Sequence, residues 1–170
     1  MSPGIPIGKI LTITLISVTT VLIIIGIFST EWTKVSALDI VWETEGLFSK
    51  CLSKDCHRIG NPSEWRSIVQ YVSYLMLAIL FTTSICECVA IYFRMLRVTK
   101  IFSICYAVAA LLGFLIIILF PTAVKPLGKD GIKETWLGWG FYTFLLGNCL
   151  LVAVAVHCFE YELESYPSLE

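Results

Sequence analysis

The sequence predicts a membrane protein made mainly of α-helix, with four membrane spans and a small antiparallel β-sheet outside the bilayer. Two observations support this prediction. Hydrophobic residues make up 57% of the 170 residues and are gathered in four long runs. The segment between the first two runs combines a β-prone stretch with a pair of cysteines. A soluble chain of this length could not bury that much apolar surface, so composition argues against an ordinary soluble domain.

Each run is long enough to cross a bilayer, whose hydrocarbon core of about 30 Å needs roughly 20 residues of helix. The expected bounds are residues 10–30, 68–93, 101–121 and 136–159, and Glu87 is the one Asp, Glu, Lys or Arg within them. The first run is rich in β-branched residues, but backbone groups in lipid must be bonded within their own segment, which favours helix. This run is also longer than the apolar core of a signal peptide and lacks an A-x-A cleavage site, so it is interpreted as a retained span.

The charges that flank the runs predict the orientation. Arg94, Arg97 and Lys100 lie in the short segment 94–100, which contains no acidic residue, so the positive-inside rule predicts a cytoplasmic loop. Both termini are then cytoplasmic, including the tail at residues 160–170. Residues 31–67 and 122–135 are the expected outer loops, and residues 1–170 are expected to form a single four-span domain.

The first outer loop contains strand and turn signals. Leu38, Ile40 and Trp42 alternate along the chain, which indicates a strand, and Gly46 predicts a bend before Leu47 and Phe48. A loop of this length without secondary structure would be unusual. A small antiparallel sheet is therefore expected here.

Cys51 and Cys56 are the only cysteines expected on the outer side, since the other five lie in or near the spans. Two cysteines alone in an oxidising compartment are expected to pair. Because the ring they close is small, the bridge is expected to contribute only about 2 kcal/mol, as a hairpin constraint. A zinc site that also uses His57 is the alternative, but it needs a fourth ligand that is not evident in the loop.

Six positions of this loop, together with the topology, resemble the claudin superfamily, which includes peripheral myelin protein, the epithelial membrane proteins and the lens fibre membrane intrinsic protein. These positions match the W…G-L-W…C…C signature of the superfamily, except that Phe48 stands where the signature has its second tryptophan. The six residues are Trp32, Gly46, Leu47, Phe48, Cys51 and Cys56. The cysteine spacing, and the Trp136-Leu-Gly-Trp139 opening of the fourth run, are most similar to the lens fibre and epithelial members. The resemblance implies a left-handed four-helix bundle capped by an extracellular sheet, drawn mostly from the first outer loop with a contribution from the second.

Glu87 lies about 9 Å from the cytoplasmic end of the second run, at a depth where an unpaired acid is costly. One interpretation is a structural hydrogen bond to a neighbouring helix, near His157 or Asn148. The other is a partner-binding or proton-sensitive site.

Small residues recur four apart in the last two runs. Ala109 with Gly113, and Thr143 with Gly147, form small-xxx-small pairs that allow close approach of helices. Such pairs are common, so packing inside the bundle is expected in preference to a dedicated dimer face.

Two further features lie at the cytoplasmic side. Cys158 at the membrane edge suits S-palmitoylation, and a plain buried thiol is an equal alternative. Tyr166 and Leu169 fit the Y-x-x-bulky-apolar pattern of endocytic sorting signals. An endocytic adaptor at the tail is one interpretation, and a chance match of a four-residue pattern is the alternative.

The expected function is non-enzymatic. The sequence contains no nucleophile–base or metal constellation, so no catalytic residue, metal or cofactor is predicted. A net charge of −1 without a basic stripe gives no indication of nucleic-acid binding.

The leading hypothesis is a protein of cell–cell contacts or membrane organisation at the plasma membrane, acting through its first outer loop. Its partners would be the lipid bilayer and other membrane proteins in trans, including a second copy. Four charged side chains are the candidate partner-facing residues: Lys34, Asp39, Lys54 and Arg58. The alternative is an auxiliary subunit that associates laterally with a channel or receptor. A paracellular pore ranks third, because the loop is short and nearly balanced in charge.

Overall fold

The computed structural model describes residues 7–37, 40–52, 55–60, 63–93, 99–123 and 134–165. Within these ranges the chain forms long helices and one antiparallel sheet. The helices are α1 (Ile7–Phe28), α2 (Glu64–Tyr92), α3 (Thr99–Ala123) and α4 (Trp139–Ser165). The strands are β1 (Thr33–Ala37), β2 (Ile40–Glu45), β3 (Ser49–Leu52), β4 (Asp55–Arg58) and β5 (Glu134–Leu137).

All four described helices are long and apolar enough to cross a membrane, which confirms the predicted number of candidate spans. Their outward faces are apolar too, as large side chains such as Leu111 and Ile85 are 68% and 63% exposed. A soluble bundle would place polar residues there, whereas hydrocarbon accepts apolar ones.

The helix bounds depart from the hydrophobic runs where the chain leaves the apolar zone. α2 begins at Glu64, four residues before the predicted start, so the end of the expected outer loop is helical. α3 already includes Thr99 and Lys100, and α4 continues to Ser165 into the predicted tail. Hydropathy detects only the part of a helix suited to lipid, while helical backbone continues into the polar flanks.

The helices pack in the order α1, α4, α3, α2, and the closest approaches use small residues. A Cβ atom at Gly113 of α3 would overlap the amide of Asn148 on α4, and one at Gly147 of α4 would press on Ile23 of α1. Asn148 Nδ2 also donates to the carbonyl oxygen of Ala110 at 3.2 Å. Gly113 and Gly147 therefore serve contacts within the bundle.

The sheet has the strand order β4-β3-β2-β1-β5, and every neighbouring pair is antiparallel. A register shift between Val35 and Ser36 interrupts the β1–β2 ladder. Four strands come from the first predicted outer loop, and β5 comes from the second. Trp136 and Leu137, expected at the start of the fourth span, lie in β5 instead, because their backbone pairs with β1.

Candidate interaction surface

Trp32 attaches the start of the sheet to the helical bundle. Its side chain is fully buried, and its indole Nε1 donates to the carbonyl oxygen of Gly26 at 2.6 Å, close to the end of α1. Its ring centroid lies 4.8 to 5.8 Å from those of Phe120, Phe141 and Phe144. The polar end is therefore bonded and the apolar body buried, as a deeply placed tryptophan requires.

The turn between β2 and β3 inserts between the sheet-side ends of α1 and α2. A Cβ atom at Gly46 would collide with the carbonyl oxygen of Ser29, so only glycine allows this close approach of backbone. Leu47 is fully buried, and its carbonyl oxygen accepts from Gln70 Nε2 at 2.9 Å. Phe48 then fills the space between the two helices.

An ion pair joins the sheet to α2. Arg66 donates to the Glu45 carboxylate, and the whole Arg66 residue is only 8% exposed. The Arg66 guanidinium carbon also lies 5.0 Å from the centroid of the Trp65 ring. Trp65 and Arg66 lie in the first turn of α2. The sequence predicts a loop at these positions, so neither residue is among the predicted site residues.

The second attachment runs through α4. The amide of Gly138 donates to the carbonyl oxygen of Trp32 at 2.8 Å, and that of Gly140 donates to Glu31 at 3.1 Å. The sheet thus makes direct backbone contact with the start of α4. Together with the Trp32 and Arg66 contacts, this holds the sheet in a defined position on the bundle.

The β3–β4 hairpin projects from this anchored base. Cys51 and Cys56 lie opposite each other in the ladder and are joined by a disulfide, which confirms the predicted bridge and leaves no thiolate for the zinc alternative. All four residues of β4 are exposed, including Asp55, His57 and Arg58. Within the described part of the chain β4 lies at the edge of the sheet, so one side of its backbone is open to pairing.

The predicted partner-facing residues do not form one cluster. Lys34 is half-buried and pairs with Glu31 at 2.8 Å, whereas Arg58 is exposed on β4. Asp39 and Lys54 lie outside the described residues. Of the four predicted partner-facing residues, the one that the structure shows to be exposed is therefore Arg58 on β4.

Glu87 points into the bundle and connects three helices. It is 3% exposed, and its carboxylate accepts a hydrogen bond from Tyr106 Oη at 2.7 Å on α3 and from Cys158 Sγ at 3.5 Å on α4. The expected interhelical hydrogen bond is present, but its donors are Tyr106 and Cys158. The two residues expected nearby bond elsewhere: Asn148 donates to α3, and His157 bonds Thr12 on α1. This inward position favours the structural interpretation over partner binding.

Cys158 is 3% exposed, which favours the packed-thiol alternative over S-palmitoylation. A thiol enclosed by the bundle and bonded to Glu87 is poorly placed for attack on an acyl donor. The predicted sorting signal, Tyr166 with Leu169, lies outside the described residues.

A groove separates α1 from α2 below the Phe48 turn and is open towards the outside of the bundle. It encloses about 510 Å³ and is lined by apolar stripes on the two helices, including Ile13 and Ile24 on α1 and Phe81 and Ile85 on α2. The lining positions repeat three and four apart along each helix, so each helix contributes one face to the groove.

Comparison of the sequence with models of known protein families finds no match, and comparison with curated proteins finds none either.

Proposed function

We propose that this chain is a claudin-like four-span protein of the plasma membrane that supports cell–cell contact or membrane organisation through its first outer loop. The observation that carries the proposal is an anchored sheet with an exposed edge strand, β4. An anchored sheet presents its edge in a fixed orientation, which lowers the entropy lost when a partner binds.

The claudin-like motif residues act as scaffold in this proposal. Trp32 and Leu47 are fully buried, Phe48 is half-buried between two helices, and the disulfide closes the hairpin. Trp32 and Leu47 are closed to a partner by their burial, and Phe48 and the disulfide fix the turn and the hairpin, so these groups position the sheet. A left-handed bundle with an extracellular sheet, as in the proteins it resembles, is part of the same proposal.

The proposed orientation places both termini in the cytoplasm. Its support is the basic segment Arg94–Lys100, which the positive-inside rule assigns to the cytoplasmic side. The sheet then faces the extracellular space, where disulfides such as Cys51–Cys56 persist.

Recognition would use the exposed side chains and the open backbone edge of β4. Asp55 and Arg58 have opposite charge and lie at the two ends of this strand. A second copy in an opposed membrane, or another membrane protein, could meet this edge with complementary charge or with a strand of its own.

A second candidate is lateral assembly with a channel or receptor. The observation that favours it is the apolar groove between α1 and α2, which a partner helix could fill. Glu87 is not the site for such a partner, because it faces the interior of the bundle.

Cell mixing with a matched pair of charge reversals tests the proposal. Asp55→Lys alters the exposed edge, while Glu64→Lys makes the same charge change at an exposed position outside β4, in the first turn of α2. We expect Asp55→Lys to lower enrichment at contacts between expressing cells by at least half, with surface biotinylation unchanged, and Glu64→Lys to have little effect.

A third variant separates the two candidates. Ile85→Trp fills the α1/α2 groove without touching the sheet. Loss of contact enrichment in Ile85→Trp, with normal behaviour of Asp55→Lys, would reject adhesion through β4 in favour of lateral assembly.

A further inference from the structure

A second cavity system lies at the base of the sheet, between the β3–β4 hairpin and the sheet-side ends of α1 and α2. Two adjoining cavities of about 330 and 410 Å³ share Phe48, Arg58 and Tyr74 in their walls. Phe28 and His57 line the larger of the two. This sheet-base pocket is separate from the α1/α2 groove beneath it.

Helix geometry places the pocket at the polar boundary of a bilayer. Phe28 follows Ile10, where the α1 candidate span starts, by 18 residues (28 − 10), and Tyr74 precedes Tyr92, the end of α2, also by 18 (92 − 74). At about 1.5 Å per residue, both distances are about 27 Å, close to the roughly 30 Å thickness of the hydrocarbon core. The Phe28 and Tyr74 rings therefore lie at the level of the phospholipid headgroups.

Arg58 brings a positive charge to this level. Among the described residues, the cations Lys34, Lys50 and Arg66 each pair with a glutamate, whereas Arg58 has no carboxylate within ion-pair distance. No acidic side chain belongs to the described lining of either cavity. The pocket is therefore suited to an anionic group, and a guanidinium matches a phosphate well.

The opposite wall is aromatic. The Phe48 ring centroid lies 5.5 Å from that of Phe28 and 5.2 Å from that of Tyr74. Phe28 is 54% exposed and Tyr74 is 46% exposed. Accessible aromatic faces attract quaternary ammonium groups through the ring quadrupole.

We propose that this pocket binds the headgroup of a phosphocholine lipid from the leaflet on the sheet side. Arg58 donates hydrogen bonds to the lipid phosphate, and the trimethylammonium group rests against the aromatic wall. The acyl chains then extend along the apolar exteriors of α1 and α2. A lipid held in this way fastens the hairpin to the membrane surface. Phosphatidylcholine and sphingomyelin share this headgroup.

Native mass spectrometry of the full chain in detergent tests the proposal. Phosphatidylcholine, phosphatidylglycerol and diacylglycerol with identical acyl chains are added in turn. We expect one retained phosphatidylcholine per chain. Retention should be about threefold less for phosphatidylglycerol, which keeps the phosphate and lacks the choline, and about thirtyfold less for diacylglycerol, which lacks both groups. Sphingomyelin in a parallel arm distinguishes the sources: equal retention assigns the headgroup alone, and preference for one lipid assigns that lipid.

Matched variants assign the effect to the pocket. Arg58→Gln should lower phosphatidylcholine retention about tenfold, and Arg58→Lys, which keeps the charge without the planar fork, should lower it less. Lys50→Gln removes a cation of the same hairpin that is outside the cavity lining, and should stay within about twofold of wild type. Tyr74→Leu should remove the preference for phosphatidylcholine over phosphatidylglycerol.

Three results would overturn the proposal. Equal retention of phosphatidylcholine and diacylglycerol would mean unspecific solvation of the helices. Equal retention of phosphatidylcholine and phosphatidylglycerol by the wild-type chain would mean that the aromatic wall does not bind the choline. Full retention of phosphatidylcholine by both Arg58 variants would mean that Arg58 does not bind the phosphate. An intact Cys51–Cys56 bridge and an unchanged unfolding midpoint serve as folding controls. The assay contains no second membrane, so its outcome is independent of the proposed role in cell contact.

Discussion

Replacing Arg66 by methionine should loosen the sheet from the bundle while leaving the helices intact. The side chains of Arg66 and Glu45 are only 10% and 19% exposed, so the substitution leaves a largely buried carboxylate without its ion-pair partner. Breaking a buried pair on one side costs 3–5 kcal/mol, and the residual exposure of Glu45 argues for the lower end, about 3 kcal/mol. At about 1.4 kcal/mol per tenfold change, the population of the detached sheet should rise about 100-fold.

Hydrogen exchange measured by mass spectrometry can follow this detachment, because amides of β2 and β3 exchange when the sheet opens. The matched control is Lys50→Met, which breaks the Lys50–Glu43 pair on the same sheet, with side chains that are 47% and 25% exposed. Exposed pairs contribute about 0–1 kcal/mol, so the control should change exchange by less than about fivefold. Equal acceleration in both variants, or acceleration in α3 and α4 as great as in the sheet, would refute the reasoning.

Further predictions concern the anchors, the topology and the bundle interior. Trp32→Phe keeps the ring packing but removes the indole donor, which leaves the Gly26 carbonyl oxygen with only its 3.3 Å bond from the Ser29 amide. The free energy of unfolding in mixed micelles should therefore fall by about 1 kcal/mol; an unchanged value would deny the indole bond a role. Glu87→Leu should cost about 1 kcal/mol in the same measurement and Glu87→Gln less, because the amide can still accept from Tyr106; identical stability of both variants and wild type would contradict this. Cys51→Ser should reduce surface biotinylation more than Cys149→Ser, because only the former opens the hairpin, and equal delivery would argue against it. Epitope tags at either terminus should be labelled only after permeabilisation, and labelling of intact cells would reverse the proposed orientation.

The helices were predictable because lipid imposes a strong constraint on sequence. A span needs roughly 20 apolar residues, and all four runs satisfy that condition. Trp136 was misassigned for the same reason, since an aromatic residue next to an apolar run suits a helix end as well as a strand. Its actual position is set by pairing with Lys34, about a hundred residues away in sequence, which no local pattern records.

The sequence predicted the motif residues of the candidate site, but it did not predict the contacts that attach the sheet to the helical bundle. Trp32 and Leu47 were found by their resemblance to a known signature, and the cysteine pair was predicted from its place in the expected outer loop. Arg66 was not singled out because it lay in a segment that the sequence assigned to a loop.

One hydrogen-bond partner of Glu87 could have been predicted from its depth in the bundle. Tyr106 lies seven residues into α3 and Glu87 five residues before the end of α2, so at about 1.5 Å per residue both are about 10 Å or less from the same end of the bundle. Matching depths could have suggested Tyr106 as the donor. Choosing Cys158 over His157 requires the rotation of α4, since adjacent residues differ by about 100° around a helix, and sequence does not reveal that rotation.

The single residue between β5 and α4 has a mechanical consequence. β5 ends at Leu137, α4 begins at Trp139, and the Gly138 amide between them is bonded to Trp32. A pull on the sheet therefore reaches α4 without a slack connector that could stretch first. Because α4 packs between α1 and α3, the tension is delivered to the middle of the bundle and shared by its neighbours. The sheet and the helical bundle would therefore resist a force applied to the sheet as one rigid unit, with α4 transmitting the load.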